Sequence, residues 1–345
     1  MNLPDAFRTQ ATTCVGLGSP FMGRLLTLLA DIWPATPALA RFCDGFTGDI
    51  GASGASLPLR LAGGLHALVL TGQDSALKAA YPPHTATDPA LEHAVRQALT
   101  THEAFLLDWM TSPPQTNEVR RAAAIIPVAH ALAARFARPF VVSELGASGG
   151  LNLMWDRFAL QVDNTRLGPA EAALTLRPEW TGPVPAPATV QVADRRGVDL
   201  NPLHPGTPAD ALRLSAYLWP DQPERLALTR AAIATFDAHV DAGDAADWLE
   251  QRLTQAPKDH LHLIYHTIAW QYFPPETDAR ARALIEAAGA RATSSSPLAW
   301  LQFEADDASP GAGLTLRLWP GGLHIPLGRA DFHGRWLRWE APTTF

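Results

Sequence analysis

The chain has 345 residues, with a hydrophobic fraction of 47% and a charged fraction of 18%, which are ordinary proportions for a globular protein. This length exceeds the roughly 250–300 residues at which a single hydrophobic core usually stops growing, so we expect two lobes. The formal net charge is −7, and only two lysines occur, Lys78 and Lys258. Because no basic run is present to follow a phosphate backbone, the composition argues against nucleic acid as the partner and favours small molecules.

The two cysteines, Cys14 and Cys43, are too few for a disulfide framework, and no CxxC motif or Cys/His cluster indicates a metal site. Residues 1–10 lack the apolar centre of a signal peptide, and no span of about 18 apolar residues occurs. We therefore expect a cytoplasmic protein that uses neither a metal nor a membrane.

Residues 1–115 have the pattern of a helical lobe. Apolar residues recur there at spacings of three and four, which is typical of amphipathic helices. The segments with this pattern are Phe21–Ile32, Leu57–Leu70 and Leu91–Trp109. Segments containing proline and glycine separate them, as expected between helices.

From residue 116 onward, predicted strands alternate with predicted helices. The predicted strands are Phe140–Leu145, Val190–Asp199, His239–Asp241, Leu261–His266, Leu298–Phe303, Leu314–Trp319 and Phe332–Trp339. The predicted helices are Glu118–Phe136, Leu151–Phe158, Asp221–Phe236, Asp244–Leu253 and Glu276–Ala288. This alternation predicts an α/β domain over 116–345 whose mostly parallel sheet is covered on both faces, with a proline-rich insertion at 159–189. The glycine pair at 321–322 predicts a turn between antiparallel strands at the C-terminal edge.

Residues 143–153 read SELGASGGLNL and follow an apolar strand, and two patterns overlap there. Residues Gly146 to Gly150 fit G-x-S-x-G, the turn that presents the nucleophilic serine of α/β-hydrolases, here Ser148. A hydrolase also needs a later histidine, for which His333 is far enough along the chain, and an upstream oxyanion donor. No HGGG-like segment supplies that donor, so a hydrolase using Ser148 is kept as the alternative.

When the pattern begins at Glu144, the same stretch is a glycine-rich turn of the kind that passes close to a cofactor near a helix N-terminus. Such a site needs a second carboxylate at the end of the next strand to hold ribose hydroxyls, and the segment GVDLNP supplies Asp199. A hydrogen bond to a charged group contributes about 1.5–3 kcal/mol, enough to select a nucleoside. A purely turn-forming role for Asp199 is the alternative. Plain NAD binding is disfavoured because G-x-G-x-x-G is absent.

These motifs occur in the order found in class I S-adenosylmethionine-dependent methyltransferases, which residues 117–345 resemble. Over its whole length the chain also resembles the bacterial domain-of-unknown-function family 2332. The segments that carry this second resemblance are Pro113–Val119, Gly146–Leu153, Trp219–Gln222 and His266–Tyr272. The first resemblance implies a Rossmann-like methyltransferase sheet with a helical N-terminal lobe.

The methyltransferase resemblance also implies S-adenosylmethionine as the cofactor and assigns positions to its parts. The residues implied are Glu144, Gly146, Ser148 and Gly150 for the methionine part, Asp199 for the ribose, and Asp244 and Ala245 for the adenine, with Ala147 and Leu200 as further cofactor-binding candidates. Ser148 stands where the family usually has glycine, and the insertion at 159–189 separates the two carboxylates in sequence. Asp244 also fits a simple helix cap.

Side chains that follow the strand at 261–266 are expected at the carboxyl edge of the sheet, where ligands bind. His266 is the candidate base, because imidazole titrates near neutral pH. Trp270, Gln271 and Tyr272 are candidate substrate contacts, and the aromatic rings suit an apolar substrate or a sulfonium cation. The alternatives are a histidine satisfied by backbone groups and aromatic rings that only pack in the core.

Two further segments contain candidate substrate-binding residues. Trp219 and Gln222 lie at a helix entrance, where Asp221 is interpreted as a cap. Asn117 and Glu118 precede the helix that enters the α/β domain, and they either cap that helix or reach the substrate pocket. Together these features predict methyl transfer to a small-molecule acceptor, catalysed mainly by positioning. A non-catalytic nucleoside-binding protein is the second alternative.

Overall fold

In the computed structural model, which describes residues 1–254 and 258–345, the chain divides into two units. Unit 1 comprises Met1–Thr116 and Thr207–Ala227, and unit 2 comprises Asn117–Gly206 and Leu228–Phe345. The helical lobe predicted for 1–115 thus corresponds to the first segment of unit 1. Unit 1 also contains a second segment, from the region that the sequence assigns to the α/β domain.

Helices make up unit 1 and alternate with strands in unit 2. They are α1 (Leu3–Gly16), α2 (Pro20–Ile32), α3 (Pro37–Asp44), α4 (Leu57–Thr71), α5 (Ser75–Ala80), α6 (Asp88–Thr101), α7 (Glu103–Met110), α8 (Ala122–Phe136), α9 (Pro208–Ala216), α10 (Pro223–Ala234), α11 (Ala245–Arg252) and α12 (Pro275–Ala290). Short 3₁₀ helices cover Val119–Arg121, Leu151–Arg157 and Trp270–Tyr272. Over residues 1–254 and 258–345, no helix combines the length and the apolar character needed to cross a membrane.

Several helices of unit 1 begin with the same signal, a polar cap residue followed by proline. The side chains of Ser19, Thr36 and Thr207 each accept a hydrogen bond from the backbone N–H three residues further on. Proline suits the next position because its missing N–H would have no partner in the first turn of a helix. The apolar faces of α2 and α3 then pack into one core, which includes Leu25 and Leu39, whereas Ala216 of α9 packs in a separate cluster with Ala67 and Trp109.

The helices predicted for unit 1 are largely confirmed, since α2 and α4 match two of the predicted segments closely. The third predicted segment, Leu91–Trp109, is two helices, α6 and α7, which meet at His102. The short helices α3, α5 and α9 are not predicted, because about two turns provide too few apolar positions to reveal a period.

Unit 2 contains a nine-stranded sheet and a separate three-stranded sheet. The strands are β1 (Phe140–Leu145), β2 (Phe158–Val162), β3 (Thr165–Leu167), β4 (Leu174–Leu176), β5 (Glu179–Thr181), β6 (Val192–Asp199), β7 (His239–Ala242), β8 (Leu261–Thr267), β9 (Leu298–Glu304), β10 (Ala312–Trp319), β11 (Leu323–Ala330) and β12 (Trp336–Trp339). The large sheet has the order β5-β12-β11-β10-β9-β8-β1-β6-β7, and the small one has the order β3-β2-β4.

The large sheet is parallel on one side and antiparallel on the other. Strands β7, β6, β1, β8 and β9 pair in parallel, whereas β9 to β12 pair antiparallel. The predicted α/β class, with a mostly parallel sheet and an antiparallel C-terminal edge, is confirmed. The turn at 321–322 joins β10 to β11, a strand that is absent from the prediction. The insertion contains an antiparallel strand pair, since β2 pairs with β3, and its strand β5 pairs in parallel with β12.

Strand β1 lies near the middle of the sheet, and all its residues are buried. Helices α11 and α12 pack together and form a core with Leu145, Ile264 and Trp300 of the strands. From β1 the chain passes to β6 and β7 on one side, then returns to β8 on the other side. A topological switch point therefore lies between the carboxyl ends of β1 and β8, which is where ligands bind in open α/β sheets.

Candidate functional site

The glycine-rich turn after β1 is held in a conformation that glycine tolerates best. Gly146, Ser148 and Gly150 have φ values of +66°, +54° and +70°. A Cβ on Gly146 would lie 2.5 Å from Cβ of Ala269, and one on Gly150 would lie 2.6 Å from a methyl group of Val240. The two glycines are thus required by backbone conformation and by protein packing, whereas the sequence interpretation explains them by a ligand close to the backbone.

Asp199 ends β6 directly beside this turn. Its Oδ2 accepts the Ser148 N–H at 2.8 Å, and its Oδ1 accepts the Asn201 N–H at 2.9 Å. The carboxylate therefore joins the carboxyl ends of two neighbouring strands, and it also forms the local turn that the alternative interpretation predicts. Leu200 follows it with 68% of its surface exposed. Ala147, in contrast, is fully buried and donates its N–H to the carbonyl of Val198 at 3.0 Å.

Glu144 lies beneath the turn as a buried carboxyl group, paired in register with Tyr265 of β8. Burial raises the pKa of Glu144 well above its ordinary value, and the charge of Asp199 raises it further, against opposing effects of Tyr265 and Arg121. The Tyr265 hydroxyl donates to the carbonyl of Asn152 at 3.0 Å, and its oxygen lies 3.4 Å from Oε2 of Glu144. A neutral Glu144 fits this arrangement, because its proton can point towards the tyrosine oxygen.

Asn117 and Glu118 form hydrogen bonds with the segment that follows the turn. The Asn117 side-chain oxygen accepts the Leu151 N–H at 2.7 Å, so it caps the 3₁₀ helix 151–157. The carbonyl of Glu118 accepts a hydrogen bond from the Asn152 amide at 3.2 Å, and the Glu118 carboxylate accepts the Arg120 N–H at 3.2 Å. Glu118 therefore caps the short helix that leads into α8, as one interpretation predicts, whereas Asn117 caps a different element from the helix that it was expected to cap.

His266 is fully buried and both of its ring nitrogens have partners. The Trp300 indole N–H, which can only donate, lies 3.0 Å from Nε2 of His266. The neutral ring therefore carries its proton at Nδ1, which donates to Glu304 at 2.6 Å. Proton abstraction by His266 would require one of these bonds to break, so the predicted role as a base stays a prediction and the geometry favours a positioning role.

Glu304 ends β9 and clamps the loop after β8. Its Oε1 also accepts the N–H groups of Ala269 and Trp270 at 3.0 and 3.1 Å. Burial alone would raise the pKa of Glu304, but the hydrogen bond from His266 and these backbone donors lower it below its ordinary value. The clamp holds Ile268 at a φ of +53°, a conformation that costs a β-branched residue on the order of 1–3 kcal/mol. The loop that faces the glycine-rich turn is therefore kept strained.

The three residues predicted to contact substrate after β8 separate into two classes. Trp270 is 9% exposed, packs beside His266 with ring centroids 4.6 Å apart, and donates its indole N–H to Asp278 at 2.8 Å. This is the core packing that the alternative describes. Gln271 is exposed and Tyr272 is 72% exposed, so these two side chains are accessible to a ligand.

Asp244 and Ala245 lie at the start of α11. The Asp244 carboxylate accepts the N–H groups of Ala246 and Asp247 and the hydroxyl of Thr277 at 2.8, 3.2 and 2.7 Å. Despite the cost of burial, these bonds lower the pKa of Asp244. It is a helix cap, as one interpretation predicts, and it also lines a polar cavity of about 370 Å³ beside α11. Ala245 is buried.

Trp219 and Gln222 belong to unit 1, whereas the glycine-rich turn belongs to unit 2. The Gln222 amide donates to the Gly18 carbonyl at 3.3 Å. Between them, Asp221 does not cap its own helix in a local capping box. Its two oxygens accept the Ser19 hydroxyl at 2.5 Å and the Phe21 N–H at 2.9 Å, so it caps α2. That interpretation was wrong because the capping rule considers only neighbours along the chain.

Ser148 lacks the contact that a nucleophile needs. Its Oγ is buried and has no hydrogen-bond partner within residues 1–254 and 258–345. His262 contacts a different serine, with Nε2 2.8 Å from Oγ of Ser143, and both side chains are buried in the sheet. Burial lowers the pKa of His262 to about 3, helped by the charge of Arg252. This geometry does not favour the hydrolase alternative.

Four residues at this edge are not predicted from the sequence: Tyr265, Asn152, Arg121 and Glu304. Glu304 could have been predicted from the sequence, because it ends a parallel strand at the same edge of the sheet as Asp199. The other three act through strand register and long-range contacts, such as the bond from Arg121 to the Thr267 carbonyl at 2.9 Å. In the part of the chain that the structure describes, no group of three or more His, Cys, Asp or Glu side chains is arranged to hold a metal ion.

Comparison with known proteins identifies one similarity. A family model described as "Uncharacterized protein conserved in bacteria (DUF2332)" matches residues 4–339. No curated protein and no solved structure matches the chain.

Proposed function

This chain belongs to the DUF2332 family, and we propose that it binds S-adenosylmethionine at the carboxyl edge of its parallel strands and transfers the methyl group to a small acceptor. The contact between Asp199 and the Ser148 N–H, at 2.8 Å, carries this proposal. It brings a carboxylate from one strand end onto the glycine-rich turn of the neighbouring strand, beside the switch point. The parallel order β7-β6-β1-β8-β9 also supports the proposal, since it is the order on which nucleoside-binding α/β sheets are built.

Exposed apolar side chains support a ligand at this edge. Large exposed hydrophobic residues are uncommon among the described residues, and two of them, Leu200 and Tyr272, follow β6 and β8 at the same edge. An apolar side chain beside a ribose-binding carboxylate suits the face of a purine base. Single exposed hydrophobic residues are normal on a protein surface, so the argument rests on their shared location.

Buried polar atoms without hydrogen-bond partners at the turn indicate that its residues fit such a cofactor. Ser148 Oγ and Asn152 Oδ1 are buried without a hydrogen-bond partner among the described residues. Buried polar atoms usually have partners, so these two are suited to the polar atoms of a bound molecule. The turn from Glu144 to Gly150 would hold the methionine part, Asp199 the ribose, and Leu200 and Asp244 the adenine side. The sulfonium of the bound cofactor would supply an electrophilic methyl group.

The protein's contribution would be positioning, because orienting two reactants can lower a barrier by about 7–11 kcal/mol. Glu304 and His266 would act here through the loop that they hold, next to the turn. A second candidate function is the non-catalytic binding of a nucleoside, and the surroundings of His266 and Glu144 favour it. His266 is committed at both nitrogens and Glu144 is buried, so neither residue is poised to move a proton.

Calorimetry with S-adenosylmethionine and S-adenosylhomocysteine tests the proposal. We expect saturable binding at one site per chain and a decrease of about tenfold to a hundredfold in Asp199→Asn, the loss expected when a hydrogen bond to a charged group is removed. Asp237→Asn, which changes an exposed aspartate of the same unit, is the matched control and should bind like wild type.

Three outcomes separate the alternatives. Absence of binding at millimolar concentrations of either compound contradicts the proposal. Binding without methyl transfer to any of a broad panel of acceptors favours the non-catalytic protein. Labelling of Ser148 by a serine-directed phosphonate, abolished in Ser148→Ala, favours the hydrolase.

A further inference from the structure

A cavity of about 240 Å³ lies under the insertion of unit 2, apart from the glycine-rich turn. Its wall is contributed by α8, the 3₁₀ helix 151–157, β2, the loop after β3 and the segment before β6. The residues that define its chemistry are Ile126, His130, Trp155, Asp156, Phe158 and Val190. None of these residues takes part in the proposed cofactor site.

Trp155 provides a hydrogen-bond donor that the protein leaves unused. The side chain is 1% exposed and packs edge-on against Phe140 with ring centroids 6.0 Å apart. Its indole Nε1–H is buried and has no partner in residues 1–254 and 258–345. A buried donor without a partner costs about 1–3 kcal/mol, so an acceptor in the adjoining cavity would relieve a real penalty.

His130 provides a second donor in the same wall. Its Nδ1 accepts the Ala188 N–H at 3.0 Å, so the neutral imidazole must carry its proton at Nε2. Burial lowers the pKa of His130, which keeps the ring neutral at physiological pH. The polar part of the wall therefore offers two N–H groups, from Trp155 and His130.

The charges that border the cavity cancel each other. Asp156 accepts hydrogen bonds from both terminal nitrogens of Arg195, at 2.5 and 2.9 Å. The wall thus has no uncompensated cation for an anionic ligand, and an ion would lose its hydration without gaining a partner. The remaining surface is aliphatic or aromatic, as contributed by Ile126, Phe158 and Val190.

We propose that this cavity binds a neutral, ring-sized organic molecule whose single carbonyl group accepts hydrogen bonds from Trp155 and His130. An apolar protein cavity of about 150 Å³ is large enough for benzene, so about 240 Å³ accommodates a ring with a carbonyl substituent. The two donors determine that the polar group is an acceptor, and the neutral wall excludes a carboxylate.

Benzamide, toluene and benzoate are probes of similar size that separate these features. By calorimetry we expect saturable binding of benzamide in the millimolar range or tighter, about twenty-fivefold to a hundredfold tighter than toluene, because each of the two hydrogen bonds contributes roughly fivefold to tenfold. Benzoate should bind more weakly than benzamide. In ¹H–¹⁵N spectra of the wild-type protein, benzamide should shift the indole N–H of Trp155 along a saturable curve.

Two variants and a matched control complete the test. Trp155→Phe should reduce benzamide affinity about fivefold to tenfold, because one of the two hydrogen bonds is lost, and Ala188→Leu should fill the cavity and abolish binding of benzamide and toluene. Trp180→Phe is the control, because the Trp180 indole N–H already donates to the Gly182 carbonyl at 3.1 Å, and it should leave affinity unchanged. If Trp155→Phe fails to fold, the wild-type indole shift decides. A static Trp155 resonance at millimolar benzamide, or equal affinity for all three probes, overturns the proposal.

Discussion

Replacing Glu144 with glutamine should change how stability depends on pH, because the folded protein buries Glu144 as a neutral acid. The side chain is 2% exposed, and the Tyr265 hydroxyl lies 3.4 Å from its Oε2. Glutamine has nearly the same shape and can donate an amide N–H in the same direction. The substitution therefore removes the titration and preserves the packing.

The sign of the effect follows from the raised pKa in the folded state. In the unfolded chain Glu144 ionises near its ordinary value, about 4.3, while in the folded protein it keeps its proton to a much higher pH. Within that window, stability falls as pH rises, by about 1.4 kcal/mol per pH unit, because the unfolded state gains by losing the proton. From pH 5 to pH 7, wild type should lose up to about 2.7 kcal/mol relative to Glu144→Gln. At a pH below the pKa of Glu144 in the unfolded chain, the free energies of unfolding of the two proteins should differ little.

This difference is measured by urea unfolding of wild type and Glu144→Gln at pH 5, 6, 7 and 8, with a spectroscopic signal that reports on unit 2. Glu171→Gln, a change at an exposed glutamate of the same unit, is the control and should track wild type at every pH. A constant difference between wild type and Glu144→Gln across the series would refute the reasoning, because it would mean that Glu144 ionises at the same pH in both states.

Other predictions address the turn, the thiols and the cap of α2. Gly150→Ala should destabilise unit 2 by about 2–4 kcal/mol, because the residue has a left-handed φ and the added Cβ would clash with the neighbouring valine. The control is Gly243→Ala, whose added Cβ would meet nothing within 4 Å and should cost little stability. Equal urea midpoints for the two variants would contradict this prediction. Burial raises the pKa of Cys14 to about 11 and that of Cys43 to about 12. Both thiols should therefore resist a disulfide reagent at pH 8 until the protein unfolds. Immediate reaction of the native protein would contradict this prediction. Asp221→Asn should destabilise unit 1 by about 1–2 kcal/mol by weakening the cap of α2, and an unchanged unfolding midpoint of that unit would argue otherwise.

The central strands β1 and β8 could be predicted from the sequence because both are buried on both faces. Strand β1 was predicted with its observed bounds, since a continuous apolar run before a glycine-rich turn is characteristic of such a strand. Strand β11 was missed because it contains Pro326 and Gly328, residues that normally weaken a strand assignment. The helix predicted over Glu276–Ala288 continues to Ala290, and Gly289 lies inside it, where the missing Cβ leaves room for the Trp319 ring.

The candidate site was predictable only where it follows from strand ends. Asp199 was placed beside the glycine-rich turn by the rule that carboxyl ends of parallel strands share one edge, and its bond to Ser148 agrees with that placement. The partner of Glu144 was not predictable, because the match to Tyr265 depends on the register between β1 and β8. The same holds for His266, whose commitment to Glu304 and Trp300 arises from strands far along the chain.

A crystal structure of the chain grown with S-adenosylhomocysteine would test the central claim most directly. We expect density over the turn at 146–150, with ribose hydroxyls within hydrogen-bonding distance of Asp199 and the base beside Leu200. Density for the compound at another place on unit 2, with Asp199 contacting only the protein, would contradict it.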